Sequence, residues 1–131
     1  MTTELMYLAL AALLTHVLWI PYIVMLSTTT GSLTPEEYAN PDLKKPSSPL
    51  LVRLNRAHMN SVETLAPFAV LVILLHLTEQ SSTITVVCAA VFFWSRLAHA
   101  VVYAAGIPYV RTGTFTVGFL AALGLAWELF M

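Results

Sequence analysis

Arg53-Leu54-Asn55-Arg56-Ala57-His58-Met59-Asn60-Ser61-Val62-Glu63-Thr64-Leu65-Ala66-Pro67 decides how this chain folds. Apolar sequence follows at once, Phe68 to Leu75. The uncharged run Thr64 to Thr78 is about 15 residues, short of the ~20 that a helix needs to cross the hydrocarbon core. A spanning helix here must therefore include Arg53–Glu63 and draw those polar groups into or beside the membrane. At about 100° per residue, Arg53, Arg56, Asn60 and Glu63 fall within an arc of roughly 80°. Pro67 lies on the same side and removes the donor for the Glu63 carbonyl. Such a face inside a membrane needs partners or a ligand.

The rest of the chain agrees with a membrane setting. Of 131 residues, 58% are hydrophobic and only 10% are charged, against about a quarter charged in soluble domains. Leu5 to Leu26 carries no Asp, Glu, Lys or Arg and is long enough to cross about 30 Å of hydrocarbon. The start Met1-Thr2-Thr3-Glu4 has no basic n-region, so this run is expected as a retained span and not a cleaved signal. The expected architecture is all-α: one domain, residues 1–131, forming an integral membrane four-helix bundle. Its spans are expected at about 5–27, 50–78, 83–105 and 109–131. Pro21 is expected to kink or end the first span, and His16 to make an interhelical hydrogen bond. Trp19 and Tyr22 suit an interfacial belt. Residues 28–49, with Pro35, Pro41, Pro46 and Pro49, disfavour a long helix. Thr34 and Pro35 suit the cap and first position of a short turn. Lys44 and Lys45 read as solvated or facing headgroups. Gly113, Gly118 and Gly124 would let the last span approach a neighbour closely.

Several classes drop out. A net charge of −1 with no basic tail or patch gives no footprint for nucleic acid. The four histidines show no ligand spacing with Cys88 or carboxylates, so no metal is expected. Cys88, the lone cysteine, reads as a small buried apolar residue.

All six basic residues lie in or beside the first and third connections: Lys44, Lys45, Arg53, Arg56, Arg96 and Arg111. Glu4, Glu79 and Glu128 mark the N-terminus, the second connection and the C-terminus. The positive-inside rule then puts the first and third connections in the cytoplasm and both termini outside, in an inner or plasma membrane.

A second polar set stands on the third span. Arg96, His99 and Tyr103 lie within about 60° of one another on a helix, and Arg111 opens the fourth span. Trp94 points to the far side and can face lipid. Arginine binds carboxylate in a planar fork, a buried Glu accepts from an ammonium, and Tyr103 and His99 can donate to a sulfur or oxygen anion. A small zwitterionic peptide such as glutathione carries the matching groups, and a phospholipid headgroup shares some of them. The plainer alternative is that Arg56, Glu63 and Arg96 pair with each other to fix helix packing, while Arg53 snorkels to phosphates.

At these residues the chain resembles the MAPEG family, the membrane-associated proteins of eicosanoid and glutathione metabolism. The family's second-span pattern Arg-x-x-x-Asn-x-x-Glu is met by Arg56, Asn60 and Glu63, with Arg53, Ala57 and Pro67 beside them. Arg96-Leu97-Ala98-His99, Tyr103 and Arg111 follow the third-span pattern and the start of the fourth. The resemblance implies a four-helix protomer, a homotrimer, and glutathione as cosubstrate between neighbouring protomers near the cytoplasmic side. It implies that Arg56, Asn60 and Glu63 hold the peptide; Arg96 and His99 are expected in the same set from their place on the polar face of the third span. Tyr103 would line the site and Arg111 would stabilise the thiolate, both with a catalytic role. Thr112 resembles in kind the hydroxyl that follows this arginine in the prostaglandin-forming member.

The sequence also departs from the pattern. Glutathione-using members usually carry an arginine near the cytoplasmic end of the first span, where this chain reads Met25-Leu26-Ser27-Thr28-Thr29-Thr30. Met59 stands where the prostaglandin-forming member has an arginine. The family also includes a member that binds lipid and assists another enzyme without catalysis. Two functions are therefore expected to compete. One is a glutathione-dependent transferase or peroxidase acting on apolar electrophiles or lipid hydroperoxides. The other is a non-catalytic lipid-binding or scaffolding trimer.

Overall fold

The computed structural model describes residues 1–31, 34–40 and 48–131. Lys44, Lys45, Pro41 and Pro46 lie outside the described residues. The elements are helices α1 (Thr3–Thr30), α2 (Pro35–Ala39), α3 (Pro49–Leu77), α4 (Thr83–Ala105) and α5 (Pro108–Phe130). α1, α3, α4 and α5 are each long and apolar enough to cross a membrane. The fold is an all-helical, four-span bundle.

Each boundary has a local cause. Thr2 caps α1 by accepting from Leu5 N. α2 starts on a capping box: Thr34 Oγ1 accepts from Glu37 N, and Glu37 Oε2 accepts from Thr34 N. Ser48 caps α3 ahead of Pro49. Ser82 and Thr85 form a second capping box at the start of α4. α4 ends on Gly106 at φ 78°, a left-handed position that costs a glycine little. Pro108 then occupies the first position of α5, where a missing N–H leaves nothing unsatisfied.

α1 does not end at Pro21. It continues to Thr30, with Pro21 inside it. The physical reason is that lipid offers no partners to free backbone groups, so the helix is kept wherever it can be. Beyond the proline, Ser27, Thr28 and Thr29 donate their hydroxyls back to the Val24 and Met25 carbonyls. Nor does His16 join two helices among the described residues. It is exposed on α1. Its neighbour Thr15 takes that role, with Oγ1 2.6 Å from Ser61 Oγ on α3.

The helices alternate in direction. Thr2, the α3–α4 turn and the end of α5 meet at one end of the bundle. There Glu4 accepts from Ser81 Oγ (2.5 Å) and Thr85 Oγ1 (2.7 Å), and Glu128 accepts from Ser82 Oγ (2.8 Å). These two carboxylates tie both chain ends to one turn. The interior is built from Ala11, Phe68, Val72, Leu75, Ala89, Phe92, Ala121 and Leu125, with Phe68 and Phe92 stacked at 3.8 Å between centroids. Lipid tails are as apolar as this core, so close packing has to hold the helices together, helped by small residues. Gly118 faces Ser95 and Arg96, and Gly124 faces Cys88. At Gly113, by contrast, an added Cβ would meet nothing within 4 Å among the described residues.

Candidate functional site

The half of the bundle away from the chain termini carries Arg53, Arg96, His99, Tyr103 and Arg111. α3 enters there, α4 leaves and α5 begins. Arg53 is half-buried and donates from Nε to the Ala104 carbonyl at 3.0 Å. A cation on a helix C-terminus satisfies an orphan carbonyl and suits the dipole. This contact locks α3 to the end of α4.

Deeper in, Arg96 is only 4% exposed. Nη1 donates to Asn60 Oδ1 at 3.1 Å, and Nη2 donates to the Thr114 and Phe115 carbonyls at 3.2 and 3.1 Å. The guanidinium carbon lies 5.7 Å from the Phe92 centroid and 5.2 Å from the Phe115 centroid, within the range of a cation–π contact. Arg96 therefore bridges α3, α4 and α5. This depth is possible because position 118 has no side chain. Among the described residues, Arg96 takes its partners from an amide and two carbonyls, with no ion pair to Glu63.

His99, one turn along α4 and also 4% exposed, shows which tautomer it holds. Its Nδ1 is 3.1 Å from the Arg111 carbonyl and 3.1 Å from Thr114 Oγ1. A carbonyl cannot donate, and the Thr114 hydroxyl gives its own hydrogen to the Val110 and Arg111 carbonyls. Assigned from this network, Nδ1 carries the hydrogen. In the neutral ring, Nε2 is then an acceptor, and it has no partner among the described residues.

Asn60, His99, Tyr103, Arg111, Thr112 and Phe115 line one groove of about 240 Å³. Across it the Arg111 guanidinium stands 4.7 Å from the Tyr103 ring centroid, and the His99 and Tyr103 rings meet edge-on at 5.5 Å. A smaller cavity of about 90 Å³ adjoins it, lined by Glu63, Pro67, Arg96 and Phe115 among others. Phe115 borders both. The structure thus brings Asn60, His99, Tyr103 and Arg111 together, with Glu63 and Arg96 in the next chamber. Arg56 lines neither cavity and is exposed on α3, as is Glu63. Thr114 and Phe115 were not singled out from sequence. Their spacing of three and four residues from Arg111 on a helix was the available signal.

The MAPEG family model matches residues 4–131, nearly the whole chain. This chain belongs to the MAPEG family. No curated protein matches it. As a MAPEG protein with four apolar spans it is an integral membrane protein. The family as a group is associated with glutathione, so a glutathione-related role in the membrane follows in general terms.

Proposed function

We propose that this MAPEG protein is a membrane-bound glutathione-dependent transferase or peroxidase, acting on apolar electrophiles or lipid hydroperoxides. The observation that carries the reading is the groove where Arg111, Tyr103, His99 and Asn60 converge from three helices. In this reading Asn60 and His99 hold the peptide, while Arg56 and Glu63 reach it from the exposed face of α3. That division of labour suits a site shared between protomers of a homotrimer, because Arg56 and Glu63 look outward from their own subunit.

The chemistry asked of the site is modest. A free thiol with a pKa near about 8.5 is mostly protonated at neutral pH, and a nearby cation favours the thiolate. Arg111 supplies that cation, and the Tyr103 hydroxyl can donate to the sulfur. The thiolate then bonds to the electrophilic carbon while the leaving group departs with the electron pair. An apolar acceptor reaches it from the bilayer between helices.

One observation favours the second reading, a non-catalytic lipid-binding or scaffolding trimer. The far end of α1 carries Ser27, Thr28 and Thr29, whose hydroxyls are spent on their own backbone, and it offers no cation to a carboxylate. Calorimetric titration of glutathione into the detergent-solubilised protein separates the two. Saturable binding, with turnover of a generic aryl halide, is expected. No binding at millimolar glutathione would leave the scaffold.

A further inference from the structure

Arg96 has little left to offer a ligand. Two of its three nitrogens are engaged with protein acceptors, the third is buried, and its guanidinium stands close to two aromatic rings. What it does control is Asn60. A guanidinium has donors and no acceptor, so the amide of Asn60 must turn its oxygen to Arg96. The reverse orientation would set N–H against N–H. The backbone around Asn60 is held as well, since Thr64 Oγ1 donates to the Asn60 carbonyl at 2.8 Å. Asn60 lines the groove with His99, Tyr103 and Arg111, and its NH2 group has no partner among the described residues.

We propose that Arg96 is a positioning residue that holds Asn60 with its oxygen inward and its NH2 toward the groove, so that the site takes a ligand carboxylate or amide carbonyl at that point. This inference rests on the reading of the groove as a glutathione site and adds the polarity of one contact. It also separates two roles that the sequence places together: Asn60 touches the ligand, and Arg96 acts only through Asn60.

The test uses the intact protein in detergent, with thermal melting, glutathione titration and side-chain amide NMR. Asn60→Asp keeps the contact to Arg96 and adds charge attraction. Melting is expected to hold or rise, while glutathione affinity falls at least about tenfold, because an oxygen now faces the ligand's acceptor. Arg96→Met is expected to weaken binding about as much as Asn60→Ala, with no further loss in the double variant, and Arg96→Lys to recover part of it. Wild-type affinity in Asn60→Asp, or losses that add in the double variant, would overturn the assignment. If the Arg96 variants fail to fold, the Asn60→Asp comparison still decides. If the wild type binds no glutathione, the proposed function fails, and the amide signals test the contact between Arg96 and Asn60 separately. The Asn60 NH2 resonance pair of the ligand-free protein is expected to shift in Arg96→Lys. A pair unmoved by that change would contradict the contact.

Discussion

Gly118 and Arg96 occupy space that only a glycine leaves open: a Cβ at position 118 would stand 2.7 Å from Arg96 Nη2 and 2.9 Å from Nε. These are too short for non-bonded atoms, and the guanidinium cannot retreat without losing the Thr114 and Phe115 carbonyls. Gly118→Ala is therefore expected to destabilise the bundle by about 1–3 kcal/mol, the usual penalty of overpacking. Gly113→Ala has nothing within 4 Å of the new Cβ and should gain up to ~1 kcal/mol of helix propensity. Thermal melting of the two variants side by side checks the pair. A Gly118→Ala protein as stable as Gly113→Ala would refute this packing.

The Thr15–Ser61 contact is short and buried between α1 and α3. In membranes such bonds are worth about 0.6 kcal/mol on average and up to ~1.7. A double-mutant cycle with Thr15→Val and Ser61→Ala should return a coupling in that range. Additive losses would show that the two hydroxyls do not depend on each other.

Glu63 distinguishes ligand binding from packing. It is exposed on its protomer and, among the described residues, pairs with neither Arg56 nor Arg96. Glu63→Gln should leave melting in the absence of glutathione nearly unchanged and weaken glutathione binding. A loss of about 3–5 kcal/mol without ligand, the cost of stranding a buried cation, would mean that Glu63 is a packing partner after all.

Both chain ends meet the α3–α4 turn at one end of the bundle, Arg53 and Arg111 stand toward the other, and in sequence all six Lys/Arg residues lie in or beside the first and third connections. We therefore expect both termini outside and the first and third connections in the cytoplasm. Compartment reporters fused after Gly31 and after Met131 should give opposite signals. A cytoplasmic signal from Met131 would reverse the orientation.

These relationships differ in how far the sequence showed them. The four spans follow from uncharged runs and from the punctuation at Pro49, Ser82 and Gly106-Ile107-Pro108. The faces of Arg96, His99 and Tyr103 follow from helical periodicity. Periodicity gives direction but not depth, so Arg96 and Arg56 looked alike. In the fold one is sealed under Phe92 and Phe115 and the other is exposed. The hydrogen bond expected of His16 belongs to Thr15, about 100° round the same helix, because an apolar run without polar periodicity does not show which stripe faces inward. Glu4 and Glu128 read as markers of topology. Their hold on Ser81, Thr85 and Ser82 depends on helix lengths that sequence bounds only loosely.

The central claim is that Arg111 acts on a bound thiol. The most direct measurement is the ultraviolet absorbance of the thiolate on the glutathione-bound protein, titrated with pH in wild type, Arg111→Ala and Arg111→Lys. Arg111 stands over Tyr103 at the groove's edge. Removing its charge is expected to move thiolate formation to higher pH and to lower turnover far more than glutathione affinity. Lysine should restore part of both, since a point charge keeps some of the field. If bound glutathione ionises at the same pH in wild type and in Arg111→Ala, the catalytic role of Arg111 is contradicted and the scaffold reading takes its place.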